Sequence, residues 1–336
     1  MIKKEIEKVL NRDNLSIEES YEVMQKIMGG EINDSQIAAL LIALKGKGES
    51  SQEIAGFAKA MRDRSIKIES DSETTIDVCG TGGDNSGTFN ISTAASFVVA
   101  GAGVKVAKHG NRSISSLSGS ADVLTELGIS INLSPEVSEK AIDEIGIAFL
   151  FAPNYHPAMK HVAKVRKELG MKTIFNMLGP LTNPANTKKQ LIGTFNETAS
   201  QKMSKAVEYL NMKKVCFVCT DNKYDEILLS GTTKVFEFGN DKVDQYNLTS
   251  ENFGLGDIEI SNLRGNTSSE NAEIILNILK EKEKSERSRV VIANAAMGLY
   301  CSGISNDLKE CYYLAEESIE SGKAYEKLAK LSEVGE

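Results

Sequence analysis

The feature that most constrains this chain is a recurring unit: a β-branched apolar run, a loop of glycine and hydroxyl residues, then a helical pattern. In its first copy, Thr74 to Val78 reads as a strand and Ala94 to Ala100 as a helix. Between them lie Val78-Cys79-Gly80-Thr81-Gly82-Gly83-Asp84 and Gly87-Thr88-Phe89-Asn90-Ile91-Ser92-Thr93. Such repetition predicts parallel strands joined by helices, and a backbone stripped of side chains lets N–H groups approach an anion closely. Neither common nucleotide fingerprint fits. G-x-G-x-x-G would place Asn85 at its third glycine, and no lysine completes a G-x-x-x-x-G-K-[ST] pattern. A glycine turn without a ligand is the alternative reading of this loop by itself.

A second copy follows. Val104-Lys105-Val106-Ala107 precedes Lys108-His109-Gly110-Asn111-Arg112-Ser113, and hydroxyls continue through Ser115, Ser116, Ser118 and Ser120 to Asp122. Arg binds phosphate bidentately and Lys supplies a point charge, so this composition suits an anion with many oxygens. A polar loop capping a helix from Asp122 to Leu127 is the plainer alternative. Farther along, the strand pattern Val215 to Cys219 is followed by Asp221, Asp225 and Glu226. Carboxylates at the carboxyl end of a parallel strand lie where open α/β sheets bind ligands, and oxygen-only donors favour Mg²⁺.

Taken with Phe151-Ala152-Pro153-Asn154-Tyr155-His156-Pro157 and Asn176-Met177-Leu178-Gly179-Pro180-Leu181-Thr182-Asn183-Pro184, these segments resemble the signature set of the anthranilate phosphoribosyltransferase family. The resemblance runs in order over nearly the whole chain. It departs at Thr220-Asp221, where the family commonly has His-Gly, and at Leu117, where a lysine is frequent. It implies transfer of the phosphoribosyl group from phosphoribosyl pyrophosphate to the amine of anthranilate, a step of L-tryptophan biosynthesis. Ser92, Asp225 and Glu226 are then the expected Mg²⁺ ligands. Phosphoribosyl pyrophosphate is expected on Gly80, Gly83, Asp84, Thr88, Asn90, Ile91, Ser92 and Thr93. Its other expected contacts are Lys108, His109, Gly110, Asn111, Arg112, Ser113, Ile114, Ser115, Ser116 and Ser120. Anthranilate is expected near Gly80 and Asn111, with its carboxylate on Arg166; an exposed charge on an amphipathic helix is the plain reading of Arg166. No general base stands out; His109 and His156 are the candidates. A homodimer through the helical part is likewise implied by the family only. The competing functions are a pyrimidine nucleoside phosphorylase-like enzyme and a non-catalytic nucleic-acid-binding paralogue.

Bulk properties bound these readings. A chain of 336 residues exceeds the size at which a single core keeps growing. A net charge of −8 disfavours nucleic acid as a partner. No apolar run reaches the ~18 residues of a membrane span, and the lysines near Met1 precede no apolar stretch, so no secretory signal is expected. The five cysteines fit a reducing cytoplasm, with Cys216 and Cys219 read as buried thiols inside a strand.

The expected fold class is α/β: a small all-helical N-terminal domain over 1–70, and a larger domain over 71–336 with a mostly parallel central sheet flanked by helices. Part of 156–188 is expected to pack on the helical domain. Ser16 with Glu19, Asn33 with Gln36 and Ser50 with Glu53 have the spacing of capping boxes, and Gly29-Gly30 and Gly46 read as helix stops. Strands are predicted near 75–78, 104–107, 147–151, 173–175, 191–194, 215–219 and 290–293, with no regular pattern over 240–262 and a solvated helix end at 281–287. Linkers at 66–75 and 183–184 are the expected hinges.

Overall fold

The structure is a computed structural model and describes residues 1–84, 86–112 and 118–335. Four helices open the chain: α1 (Lys3–Leu10), α2 (Ile17–Met28), α3 (Asp34–Lys47) and α4 (Ser51–Asp63). Ser16 and Ser50 accept from the N–H groups of Glu19 and Glu53, whose carboxylates accept in return from the cap N–H groups. Asn33 caps α3 through the Gln36 N–H alone. Gly29 ends α2 as expected, but α3 runs past Gly46 and stops at Gly48, whose φ of 90° side chains rarely adopt. The stripes Ile37, Leu40, Leu41, Leu44 and Ile54, Phe57, Ala58, Met61 are buried.

The chain then builds β1 (Ile76–Gly80), α5 (Ile91–Gly101), β2 (Val106–Gly110), α6 (Ser120–Glu126), α7 (Pro135–Lys140), β3 (Ile147–Phe151) and α8 (Ala152–Tyr155). Next come α9 (Lys160–Leu169) and α10 (Phe175–Leu178), and α9 packs against α2 and α3. After them follow β4 (Lys189–Gly193), α11 (Glu197–Ala206), β5 (Lys214–Thr220), β6 (Thr233–Gly239) and β7 (Lys242–Leu248). Helices α12 (Ser268–Leu279), α13 (Glu286–Ser302), α14 (Leu308–Glu320) and α15 (Lys323–Ser332) close the fold.

Among the described residues seven strands form one sheet in the order β3-β2-β1-β4-β5-β6-β7, parallel through β5 and antiparallel beyond it. Chain direction across the sheet reverses between β1 and β4, the position where doubly wound sheets open a crevice at their carboxyl ends. Alternation along β5 divides the interior. Cys216 and Val218 join a core with α5, α13 and α15, whereas Val215 and Phe217 join a second core with the N-terminal helices and α11.

Several expectations fail for identifiable reasons. Residues 290–293 lie inside α13, because an apolar run buried on all sides has no period to separate helix from strand. Residues 173–175 lead into α10. The irregular stretch after residue 240 begins with a hairpin: Asn240 and Asp241, at φ of 51° and 57°, turn β6 into β7. Ser285, expected in a solvated helix end, caps α13. Asn183 is not in a free linker. Its Nδ2 donates to the Ala107 carbonyl at 2.8 Å, and the Pro184 carbonyl accepts from the Ile68 N–H at 3.2 Å. The five cysteines are free and buried. No helix among the described residues is long and apolar enough to cross a membrane.

Candidate active site

The site grows from the glycines at the crevice. Gly80 ends β1 and pairs in register with Gly193 at the end of β4. A Cβ on Gly80 would lie 2.9 Å from Asp225 Oδ2, and one on Gly193 would lie 1.7 Å from the Asp225 carbonyl oxygen. Only glycines at both strand ends let the Asp225 loop cross here. Gly82 and Gly83 follow with φ of 62° and 73°. That conformation turns the Gly82 N–H onto Asp225 Oδ2 at 3.1 Å.

Glu226 is held from the other side, accepting from the Ser92 N–H at 3.2 Å in the first turn of α5. This helix starts earlier than its apolar pattern suggests. Asn90 at its N-cap position makes no cap bond; its Oδ1 accepts from Asn271 Nδ2 at 2.8 Å and Ser118 Oγ at 3.3 Å. The Ile91 side chain anchors the turn in the core, and Thr93 Oγ1 is buried without a partner. Thr88 sits on the backing segment, bridged to Arg264.

Asp84, Asp225 and Glu226 therefore gather beside a helix N-terminus. Burial and then the facing Asp84 carboxylate push the Asp225 carboxyl up to about 8, and burial with the Asp225 charge raises Glu226 well above the usual range. Apart from the facing Asp225 carboxyl, buried Asp84 Oδ2 has no hydrogen-bond partner among the described residues. Lys108 acts on Glu226 only at a distance, because its ammonium is buried and donates to the Val78 carbonyl at 2.7 Å. Carboxylates this short of positive charge fit a hard divalent cation. Among the described residues no group of three His, Cys, Asp or Glu side chains is arranged to hold a metal ion; Mg²⁺ is commonly bound through one or two carboxylates with ligand phosphates and waters.

The second loop is only partly placed. Ser113, Ile114, Ser115 and Ser116 lie outside the described residues. A Cβ on Gly110 would meet Ser120 Oγ at 2.4 Å and the Phe149 ring at 2.6 Å, so any side chain there must displace both. Asn111 is exposed, with its carbonyl accepting from Ser120 Oγ at 3.2 Å and from the Ala121 N–H at 3.3 Å. Arg112 is engaged by Asp122 at 2.6 Å.

His109 and His156 lie with ring centroids 5.2 Å apart, and the backbones of Gly179 and Thr182 hydrogen-bond one each of them. Burial lowers them to about 3 and about 4, and each leaves its Nε2 buried without a partner. Both are neutral at pH 7, and groups so weakly basic give a general base little driving force. Arg166 does not sit on an exposed helix face. It is half-buried, its guanidinium 5.1 Å from the Phe175 ring centroid, and burial lowers its pKa. No carboxylate pairs with it among the described residues. A desolvated, unpaired guanidinium over an aromatic ring suits a planar carboxylate.

The chain matches known proteins over nearly its whole length. The description "Glycosyl transferase family, helical bundle domain" matches residues 3–65, and "Glycosyl transferase family, a/b domain" matches residues 72–325. Anthranilate phosphoribosyltransferase of Thermoanaerobacter sp. (strain X514) is 46% identical over 333 residues, 99% of this chain and 98% of that protein. The chain belongs to the anthranilate phosphoribosyltransferase family. Its fold superposes on the crystal structure of the anthranilate phosphoribosyltransferase from Thermus thermophilus with a TM-score of 0.91 and 40% identity, covering 97% of this chain and 98% of the other. The Saccharomyces cerevisiae anthranilate phosphoribosyltransferase in complex with PRPP and Mg gives a TM-score of 0.89 at 28% identity, covering 97% and 95%. The same yeast enzyme is also solved in complex with 4-fluoroanthranilate.

Three supporting residues escape a reading of the sequence. Gly193 forms the floor under Asp225, and a glycine closing a predicted parallel strand is the available signal. Asn294 on α13 grips the Ile227 backbone from both sides, at 3.0 and 2.8 Å, directly after Glu226. It is hidden because the pattern of its helix reads as a strand. Asn271 on α12 supports Asn90 and has no motif to reveal it.

Proposed function

We propose that this chain transfers the phosphoribosyl group of phosphoribosyl pyrophosphate to the amine of anthranilate. The products are N-(5-phosphoribosyl)anthranilate and pyrophosphate, in L-tryptophan biosynthesis. The observation that carries the reading is the Asp225-Glu226 pair, fixed by the Gly82 and Ser92 N–H groups at the carboxyl end of a parallel sheet. Family membership supplies the substrates.

Bond breaking at the anomeric carbon leads bond making, so negative charge grows on the departing pyrophosphate. Backbone N–H groups of the glycine loop and the α5 N-terminus face that charge. Ser92, Asp225 and Glu226 are the residues proposed to hold Mg²⁺, which when bound offsets it; the yeast complex with PRPP and Mg supports this. Arg166 holds the anthranilate carboxylate with Phe175 beneath, leaving the amine toward Gly80 and Asn111. Positioning and leaving-group electrostatics then suffice for a weakly basic aryl amine, in keeping with two neutral histidines that are too weakly basic to take up a proton readily at neutral pH.

We further infer a division into a helical domain over 1–70 and an α/β domain over 71–336, supported by the separate family matches. A cytoplasmic homodimer joined through the helices is supported by the exposed Leu10 and Ile42 and by the five free thiols. The activity is tested by anthranilate fluorescence. It should fall on addition of phosphoribosyl pyrophosphate only when Mg²⁺ is present. Unchanged fluorescence at every Mg²⁺ concentration contradicts the assignment.

A further inference from the structure

Asp77 and Gln190 are fully buried polar side chains that the chemistry above does not use. They stand directly opposite each other on β1 and β4. Burying a carboxylate and an amide inside a sheet is costly, and apolar residues of similar size would pack there with less penalty. Their hydrogen bonds show what they do. Asp77 Oδ1 accepts from the His109 N–H at 3.1 Å, near the carboxyl end of β2. Asp77 Oδ2 accepts from Gln190 Nε2 at 3.3 Å, and the same Nε2 donates to the Pro180 carbonyl at 2.8 Å. Two acceptors on one nitrogen fix the orientation of the Gln190 amide.

Pro180 belongs to the 3₁₀ turn over 179–182, which continues α10 and so follows directly on Phe175, the ring under Arg166. The next carbonyl, Leu181, is held by Arg62 Nε at 2.6 Å. The turn is thus tied to the sheet by Gln190 and to the helices by α4.

We propose that Gln190, oriented by Asp77, is a positioning residue for the acceptor half of the site. It sets the Phe175–Thr182 segment, and with it the surface under Arg166, at a fixed distance from the carboxyl end of β2, where His109 lies. This inference rests on the proposed transfer to anthranilate.

Two variants test it from opposite sides. Gln190→Met keeps length and bulk and removes the donor. Asp77→Asn keeps the acceptor for the His109 N–H but presents an NH₂ to Gln190, whose amide must flip and abandon Pro180. Each should raise KM for anthranilate about tenfold while KM for phosphoribosyl pyrophosphate stays within about twofold. A merely structural role predicts a loss of kcat with the active fraction and no such split. Equal rises in both KM values, a fall in kcat alone, or no change overturns the proposal. If Gln190→Met does not fold, the isosteric Asp77→Asn decides. Absence of turnover by the unaltered chain would instead contradict the functional reading. The positional part is then read by hydrogen exchange at the 181–183 amides: faster exchange in Asp77→Asn supports it, and unchanged exchange overturns it.

Discussion

Arg166 shows how one side chain changes meaning between sequence and structure. On a helix reading Lys-His-Val-Ala-Lys-Val-Arg-Lys it is one basic residue among several, yet only Arg166 is desolvated over an aromatic ring. Arg166→Ala should weaken anthranilate by about 1.5–3 kcal/mol, roughly ten- to a hundredfold, and leave phosphoribosyl pyrophosphate nearly untouched. Isothermal titration with each substrate separates the two effects, and equal weakening would move Arg166 to the phosphate half or to the fold. The carboxylate pair predicts a different signature. Asp225→Asn with Glu226→Gln should raise the Mg²⁺ concentration needed for half-maximal activity at least about tenfold. Both carboxyls titrate above their unfolded values, so their ionised forms oppose folding as pH rises. The melting temperature of the double variant at pH 8 should therefore match or exceed that of the parent. The histidines carry the opposite sign. Their folded pKa values of about 3 and about 4 lie below the unfolded ~6.5, so the unfolded chain binds more protons between those limits and stability falls as pH is lowered. His156→Gln should flatten the fall in urea midpoint between pH 6.5 and pH 4.5; an unaltered slope would mean the ring is solvated.

At the scale of elements, the strand ends matter more than the strands. Gly193 closes β4 at a point where any side chain would overlap the Asp225 backbone. Gly193→Ala must displace the loop, and it should cut kcat/KM at least about a hundredfold while circular dichroism still reports the fold. Retained activity would show that the loop position is not what holds the acidic pair. Much of this architecture was legible, because short apolar runs rich in branched and aromatic residues, two of them followed by glycine loops, carry a local signal: β1, β2, β3, β4 and β5 all stand within three residues of their predicted places. What escaped was encoded nonlocally. Val290 to Ala293 carries no amphipathic period because α13 is buried on every side. The β6–β7 turn has Asn240 and Asp241 at its two central positions rather than the Asn-Gly or Asp-Gly pair that marks a hairpin. The proposed anthranilate side has no local signal in the sequence and was expected only through family resemblance; the structure shows Arg166 over Phe175 and His109 bonded to the Gly179 backbone.

For the whole molecule, the two cores meet at the sheet, and the proposed site draws on both. Arg166 rides on α9 among the N-terminal helices, whereas the carboxylates and glycine loops belong to the sheet. Reaction requires amine and anomeric carbon at about 3–3.5 Å, so the halves should close when both substrates bind. The pinned 179–184 segment cannot absorb that motion without breaking buried hydrogen bonds. Exchange protection should therefore grow in 66–75 on binding both substrates, while 179–184 stays slow throughout; protection confined to the glycine loops would indicate a preformed site. The most direct measurement is a crystal structure of the chain with phosphoribosyl pyrophosphate, Mg²⁺ and an unreactive anthranilate analogue. The account predicts metal between pyrophosphate and the Asp225-Glu226 pair, and the analogue carboxylate on Arg166 with its ring against Phe175. Metal bound away from those carboxylates, or an analogue carboxylate that does not touch Arg166, would contradict it.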